Sequence, residues 1–167
     1  MEKGIKQKRN YEPLLWSIAL PGFGQFINKK YFKGIILILL EFVSNVMSNF
    51  NTAILQSFNG NIIGAIEVTN FQWLMFYPCL YFFALWDAYR DANDPPEPYI
   101  FLPFVFSAYF VTVGLMYSTR LTIFGILFGP VFLPMLFVIP GLAVGFLIRK
   151  IVIMVKQNQQ MTGADGI

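Results

Sequence analysis

The chain has 167 residues, of which 56% are hydrophobic, 18% aromatic and only 13% charged. A soluble domain carries about 25% charged residues, and one of this size cannot hide so much apolar surface, 19 Phe included, from water. The net charge of +3 sits at the ends of apolar runs and not in a nucleic-acid patch, the absence of His removes the commonest metal ligand and general base, and the single Cys79 excludes an internal disulfide.

The expected class is therefore an all-α integral membrane protein, with about four transmembrane helices plus a short N-terminal re-entrant or interfacial hairpin. Residues 1–12 form a basic N-terminus, with Lys3, Lys6, Lys8 and Arg9, and Tyr11 and Trp16 lie close to an interface. No small-x-small cleavage site follows at the right place, so this start does not read as a cleaved secretory signal. Lipidation signatures are absent too. The first apolar run, 14–27, has 14 residues and contains Pro21, Gly22 and Gly24. About 20 residues are needed to cross about 30 Å of hydrocarbon, so a run this short and broken is expected to bend back. Its broken backbone needs protein cover.

The second run, 34–58, is expected to be one helix roughly 37 Å long at about 1.5 Å per residue. Glu41, Asn45, Ser48, Thr52 and Gln56 recur along it at steps of 4, 3, 4 and 4, which is one polar stripe on one helical face. Glu41 lies about 10 Å inside the entry of that helix. A carboxyl there is costly and is paired or functional. Lysines from 29–33 or the hairpin's backbone N–H groups are its expected partners. An ion or proton site is one reading and a structural hydrogen bond the other. The stripe itself reads either as the wall of a water-filled path or as a polar helix contact.

Asn59-Gly60-Asn61 marks a turn, and 62–67 reads as interfacial or as a short outer helix. The next span is 71–89, with Pro78 in its interior as a kink and Cys79 as a buried, inert thiol. Asp87, Tyr89 and Arg90 mark its boundary, where a salt bridge is expected. Residues 91–98 form an acidic linker that Pro95, Pro96 and Pro98 keep out of helix. The stretch 99–118 is long enough for a clean span, with Pro103 in its first turn, where proline costs least. The last run, 121–148, is interrupted by Gly129-Pro130, Pro134 and Pro140-Gly141. It reads as a broken outer part near 121–130 followed by one crossing. Beyond the basic stop Arg149-Lys150 the helix is expected to reach Lys156, and 157–167 reads as a disordered cytoplasmic tail. A single transmembrane bundle thus occupies 13–156. Gly60-x-x-x-Gly64, Gly125-x-x-x-Gly129 and Gly141-x-x-x-Gly145 permit close helix approach.

Charge settles the orientation expected. With a hairpin first and spans at 34–58, 71–89, 99–118 and 130–148, residues 1–12, 29–33, 90–98 and 149–167 share a side. They carry 4, 3, 1 and 3 basic residues, 11 of the 12. If the first run crosses instead, as a fifth span, the split is 5 against 7. The positive-inside rule favours the hairpin and both termini in the cytoplasm, in a cytoplasmic (inner) membrane.

Pro21-Gly22-x-Gly24-Gln25, then Asn28, then Lys33-Gly34, resembles a turn found in small bacterial multi-pass membrane proteins, P-G-L-G-Q-F-Y-N-G-Q-x-x-K-G. It is similar also to the N-terminal segments of some sugar ABC-transporter permeases. The two-transmembrane-segment domain family has a related turn, with an aspartate ending a later helix, and Asp87-Ala88-Tyr89 is similar to that ending. Ile27 and Lys29 depart from the pattern. The resemblance implies an architecture and no activity. The turn motif reads as a structural hairpin, with headgroup or partner binding as the alternative.

No catalytic constellation, metal site or cofactor motif is present in the sequence. The function expected is a non-enzymatic accessory or scaffold subunit acting through helix contacts. Its partners would be the lipid bilayer and a second copy or a larger membrane protein, with no nucleic acid. The alternative is a small transporter or channel-like protein using Glu41 and the stripe.

Overall fold

Helix α1 runs Glu12–Ala19, opened by Pro13 in its first turn with Glu12 against the positive end of the helix dipole. It ends where it must: Leu20 precedes Pro21 and is extended, at φ −153° and ψ 117°. Gly22 at φ 106° then reverses the chain into α2, Phe23–Ile27. The computed structural model describes residues 9–164, with side chains up to residue 159. So Lys3, Lys6 and Lys8 of the expected basic N-terminus lie outside the described residues.

The long second run is not one helix. Helix α3 (Tyr31–Ser48) and helix α4 (Phe50–Phe58) are separated by Asn49 in the left-handed region at φ 57°. Asparagine tolerates that region better than other side chains. The break is held from outside: Asn70 N–H donates to the Ser48 carbonyl at 3.0 Å, and Asn49 Nδ2 donates to the Val68 carbonyl at 3.1 Å. Helix α5 (Ile62–Val68) is capped by Asn61, whose Oδ1 accepts from Gly64 N–H at 2.9 Å.

The third run departs from expectation as well. Helix α6 (Phe71–Leu74) is separate from α7 (Tyr77–Asp91), and Pro78 opens α7 instead of kinking its interior. A proline collides with the carbonyl four residues back, and residue 74 is where α6 stops. Helix α8 (Phe101–Tyr117) carries Pro103 in its first turn. The segment after it, expected to be a broken outer part, is a hairpin of two two-residue strands, β1 (Thr122–Ile123) and β2 (Ile126–Leu127). They pair antiparallel, Thr122 opposite Leu127, around Gly125 at φ 79°. Helix α9 (Gly129–Ala164) then runs for 36 residues, about 54 Å, with Pro134 and Pro140 inside it. It continues well into the segment expected to be a disordered tail; 165–167 lie outside the described residues.

The packing is antiparallel in α3 with α7 and in α8 with α9. Along α3 and α7, Lys33 meets Asp91 at one end and Glu41 meets Tyr77 further along. Along α8 and α9, a Cβ on Gly145 would strike the Pro103 backbone, one on Gly141 would lie 2.7 Å from Ser107 Cα, and one on Gly114 2.9 Å from Phe137. These glycines let two backbones approach as only small residues can. Gly60 and Gly125, the first members of the other two glycine pairs, face open space. Helices α4 and α5 close the far end of the bundle, where Phe58 packs edge-on to Phe132 at 5.2 Å.

The surface is apolar and much of the interior is not. Ser17, Gln25, Ser48, Ser107 and Ser118 are wholly buried, while Phe32, Leu39, Phe42, Leu136, Ile139 and Phe146 are exposed. Two helices, Tyr31–Ser48 and the Gly129–Gln159 stretch of α9, are long and apolar enough to cross a membrane; Phe101–Tyr117 is apolar but shorter. Cys79, expected inside, is exposed on α7. In such a chain an apolar neighbourhood points outward as readily as inward.

Candidate functional site: a hairpin latched onto the end of α7

The turn motif and the Asp87-Ala88-Tyr89 helix ending are distant in the chain and form one site. Gly24 presses against Pro13, Ser17 and Ala88, so α1, α2 and α7 meet with no room for a side chain at residue 24. Gly22 and Gly34 are similarly close: a Cβ on Gly22 would stand 2.7 Å from the Gly34 carbonyl. Gln25, wholly buried, donates through Nε2 to the Ala84 carbonyl at 2.9 Å and to Asp87 Oδ2 at 3.2 Å. Asn28 donates to the Ala88 carbonyl at 2.7 Å. Pro21 is buried at the bend.

Asp87 is the hub. It is 2% exposed and also accepts from Lys33 Nζ and Arg90 Nη2, each at 2.8 Å on Oδ1. Lys33 reaches Asp91 as well, at 2.9 Å, and Arg90 lies 4.6 Å over the Trp86 ring. A buried carboxylate with this many donors is satisfied. The lysine expected beside Glu41 is therefore engaged here.

These contacts also trace the path of the first run. Asn10 and Asn93 exchange hydrogen bonds at 2.9 and 3.0 Å, and Tyr11 stacks on Tyr89 at 5.7 Å. Ile18 is level with Tyr81, whose hydroxyl donates to its carbonyl at 2.8 Å. Asn28 is back at Ala88 and Lys33 at Asp91. The rise from Tyr89 to Tyr81 along α7 is about 12 Å. The chain goes that far and returns to the end of α7 from which it started.

The expected polar stripe does not survive the break at Asn49, which resets the helical phase. Glu41 and Ser48 are buried, but Thr52 is exposed on α4. Each remaining member is occupied locally. Asn45 donates to Asn51 at 3.3 Å, Gln56 accepts from Asn61 at 2.8 Å, and Ser48 bonds back to the Asn45 carbonyl at 3.2 Å. Glu41 Oε1 accepts from the Tyr77 hydroxyl at 2.8 Å, while its Oε2 is buried without a partner in the described structure.

A second cluster beside the latch has no counterpart in the motif. Glu97 accepts from the Tyr89 hydroxyl and from Arg149 Nη2, both at 2.6 Å, with Arg9 Nε 3.6 Å away. Only the opposite charges of the acidic linker and the basic stop at the end of the last run hint at it in the sequence. The hydrogen bond from Tyr89 is the main cause holding the Glu97 carboxyl below its ordinary pKa; burial opposes it and Arg149 and Arg9 reinforce it. For Asp91, burial works to raise the pKa, and hydrogen bonds and charge from Lys33 and Arg90 override it, leaving it lowered. Both groups therefore bind protons less readily folded than unfolded. Their stabilisation is complete above the ordinary carboxyl value of about 4 and is lost as pH falls through the lower folded values. The thermal midpoint of the protein in micelles is expected to be flat from about pH 7 to 5 and to drop below about pH 4. Glu97→Gln should remove part of that acid limb; an unchanged limb would show that the cluster does not act.

Among the described residues no group of three or more His, Cys, Asp or Glu is placed to hold a metal ion. Comparison with protein-family models, with curated proteins and with solved structures found no match.

Proposed function

We propose that the chain is a multi-pass protein of a bacterial cytoplasmic membrane, a non-enzymatic accessory or scaffold subunit that works through helix contacts with a second copy or a larger membrane partner. The observation that carries this is the sorting of polarity. The helices turn Phe, Leu, Ile and Val outward and keep serines, Gln25 and Asp87 inside. Of the nine basic residues among those described, eight cluster at the latched end, and Arg120 alone lies opposite. A hydrocarbon solvent bounded by a basic cytoplasmic face accounts for both.

Four crossings are made by α3, by residues 71–89 of α6 and α7, by α8 and by residues 130–148 of α9, with the N-terminal hairpin held inside the cytoplasmic leaflet. Both termini lie on that side. The turn motif then has a structural role, seating the hairpin on α7. The second reading, a small transporter, has one observation in its favour, the unpartnered Oε2 of Glu41. The local pairing of the other stripe residues speaks against a continuous path.

The test uses the whole chain with Cys79→Ala and one new cysteine at Tyr31 or Phe124, both exposed. Residue 31 should label only from the cytoplasmic face and residue 124 only from outside. Labelling of residue 31 from outside would reverse the topology. Ion or proton flux in liposomes that Glu41→Gln abolishes would favour the transporter instead.

A further inference from the structure

A trough of about 1070 Å³ runs along the bundle between α7 on one side and α8 and α9 on the other, with α1 over one end. Its walls are apolar, with Ile18, Phe104, Val138 and Ile139 among them. The latched end differs, because there the lining includes Tyr89, Glu97 and Arg149. A smaller cleft of about 330 Å³ shares Phe146 and Arg149 with the trough and adds Lys150. The lining of this mouth carries Arg149 and Lys150 against Glu97, with Arg9 Nε 3.6 Å from the Glu97 carboxylate, so basic side chains outnumber the acidic one. Lys150 has no ion-pair partner among the described residues. Arg149 uses Nε on the Pro98 carbonyl and Nη2 on Glu97. A guanidinium has five N–H donors, so others remain for a ligand oxygen.

We infer that this trough holds one anionic phospholipid, with its acyl chains along α9 and its phosphate at the Arg149–Lys150 mouth. The inference rests on the bilayer placement proposed above. From Pro130 to Arg149 the trough follows α9 for about 28 Å, close to the full hydrocarbon thickness of about 30 Å, so acyl chains reaching about 15 Å from the mouth occupy its latched half. Protein interiors pack too densely to leave such a space empty, and its apolar lining gives water few partners. The mouth lies at the level where a cytoplasmic leaflet presents anionic headgroups, and its excess of basic side chains complements them.

The test is native mass spectrometry of the full chain released from nanodiscs of equal phosphatidylglycerol and phosphatidylcholine. One phosphatidylglycerol should remain bound through delipidating washes. Ile139→Trp, at an exposed position on the trough wall, should lower the bound fraction about tenfold, equivalent to 1.4 kcal/mol. Lys150→Gln should reduce the preference for phosphatidylglycerol about fivefold, the effect of one basic residue at an anionic surface. Equal retention of the two lipids by the wild type, retention unchanged in Ile139→Trp, or a second protein chain in place of lipid would overturn the inference. If Ile139→Trp does not fold, the wild-type lipid preference and its change in Lys150→Gln decide alone. A wild-type chain that leaves the membrane in an alkaline wash would overturn the bilayer placement itself, a different failure from a membrane-bound chain without lipid selectivity.

Discussion

Asp87→Ala should lower the stability of the protein by about 3 kcal/mol and free the N-terminal hairpin from α7. Removing one partner of a buried charge cluster costs about 3–5 kcal/mol, because the groups left behind lose their compensation. The lower end applies here. The Lys33 and Arg90 side chains are 43% and 35% exposed and recover hydration once Asp87 is gone. Gln25 does not, since it is wholly buried and keeps only the Ala84 carbonyl for its Nε2. Asp87→Asn retains an acceptor for Gln25 and loses the charge, so it should fall between the wild type and alanine. Lys33→Ala removes only a half-exposed partner and should cost under about 1 kcal/mol. Unfolding in micelles, followed by the fluorescence of Trp16, Trp73 and Trp86, would rank the four proteins. If Asp87→Ala and Lys33→Ala lost the same amount, Asp87 would be one half of a surface ion pair and not the hub.

What is legible in this sequence is what breaks helices locally. Pro21 and Gly22 announce the bend, because a proline restricts the residue before it and Gly22 takes φ 106°. Asn49 announces nothing. It lies in a run whose polar residues keep helical spacing, and its left-handed turn is held by Val68 and Asn70, which the chain reaches only after α4 and at the end of α5. Pro78 is readable as a breaker, but whether it kinks a helix or starts one depends on whether the preceding turn can end in place. Leu74 ends α6 in contact with α3, so the helix restarts. The partner of Glu41 is similarly non-local. Lys29, Lys30 and Lys33 are nearer to it in sequence, yet the antiparallel pairing of α3 with α7 sends Lys33 to Asp87 and Tyr77 to Glu41. The trough follows from how α7 packs beside the α8–α9 pair, which no periodicity records.

The same distinction between local signal and long-range packing makes Gly24 the sharper test. Of the glycines in the hairpin, Gly22 looks the more demanding, since its φ is positive; Gly24 lies within α2 at no such angle. Packing adds a demand at Gly24 that no backbone angle reveals. A single methyl at Gly24 would overlap the Pro13 carbonyl and Ser17 Oγ and stand 2.7 Å from Ala88 Cβ. Two of these neighbours, Pro13 and Ala88, are backbone or a short rigid group, so no side-chain rotation relieves the overlap. Overpacking of this kind costs about 1–3 kcal/mol, and collision with a backbone carbonyl places Gly24→Ala near 3. Gly60→Ala serves as the counterpart. It forces alanine to φ 80° with nothing within 4 Å, a strain of about 1 kcal/mol without collision. The midpoint of Gly24→Ala should fall roughly three times as far as that of Gly60→Ala. Because α2 can relieve the overlap only by lifting from α1 and α7, Gln25 and Asn28 would leave Ala84 and Ala88. In a Cys79→Ala background, a cysteine at the half-buried position 28 should then react faster in Gly24→Ala and at an unchanged rate in Gly60→Ala. Equal midpoints, or a residue 28 equally protected in both, would mean that the hairpin is not wedged against α7 at Gly24, and the reversal of the first run would lose its physical cause.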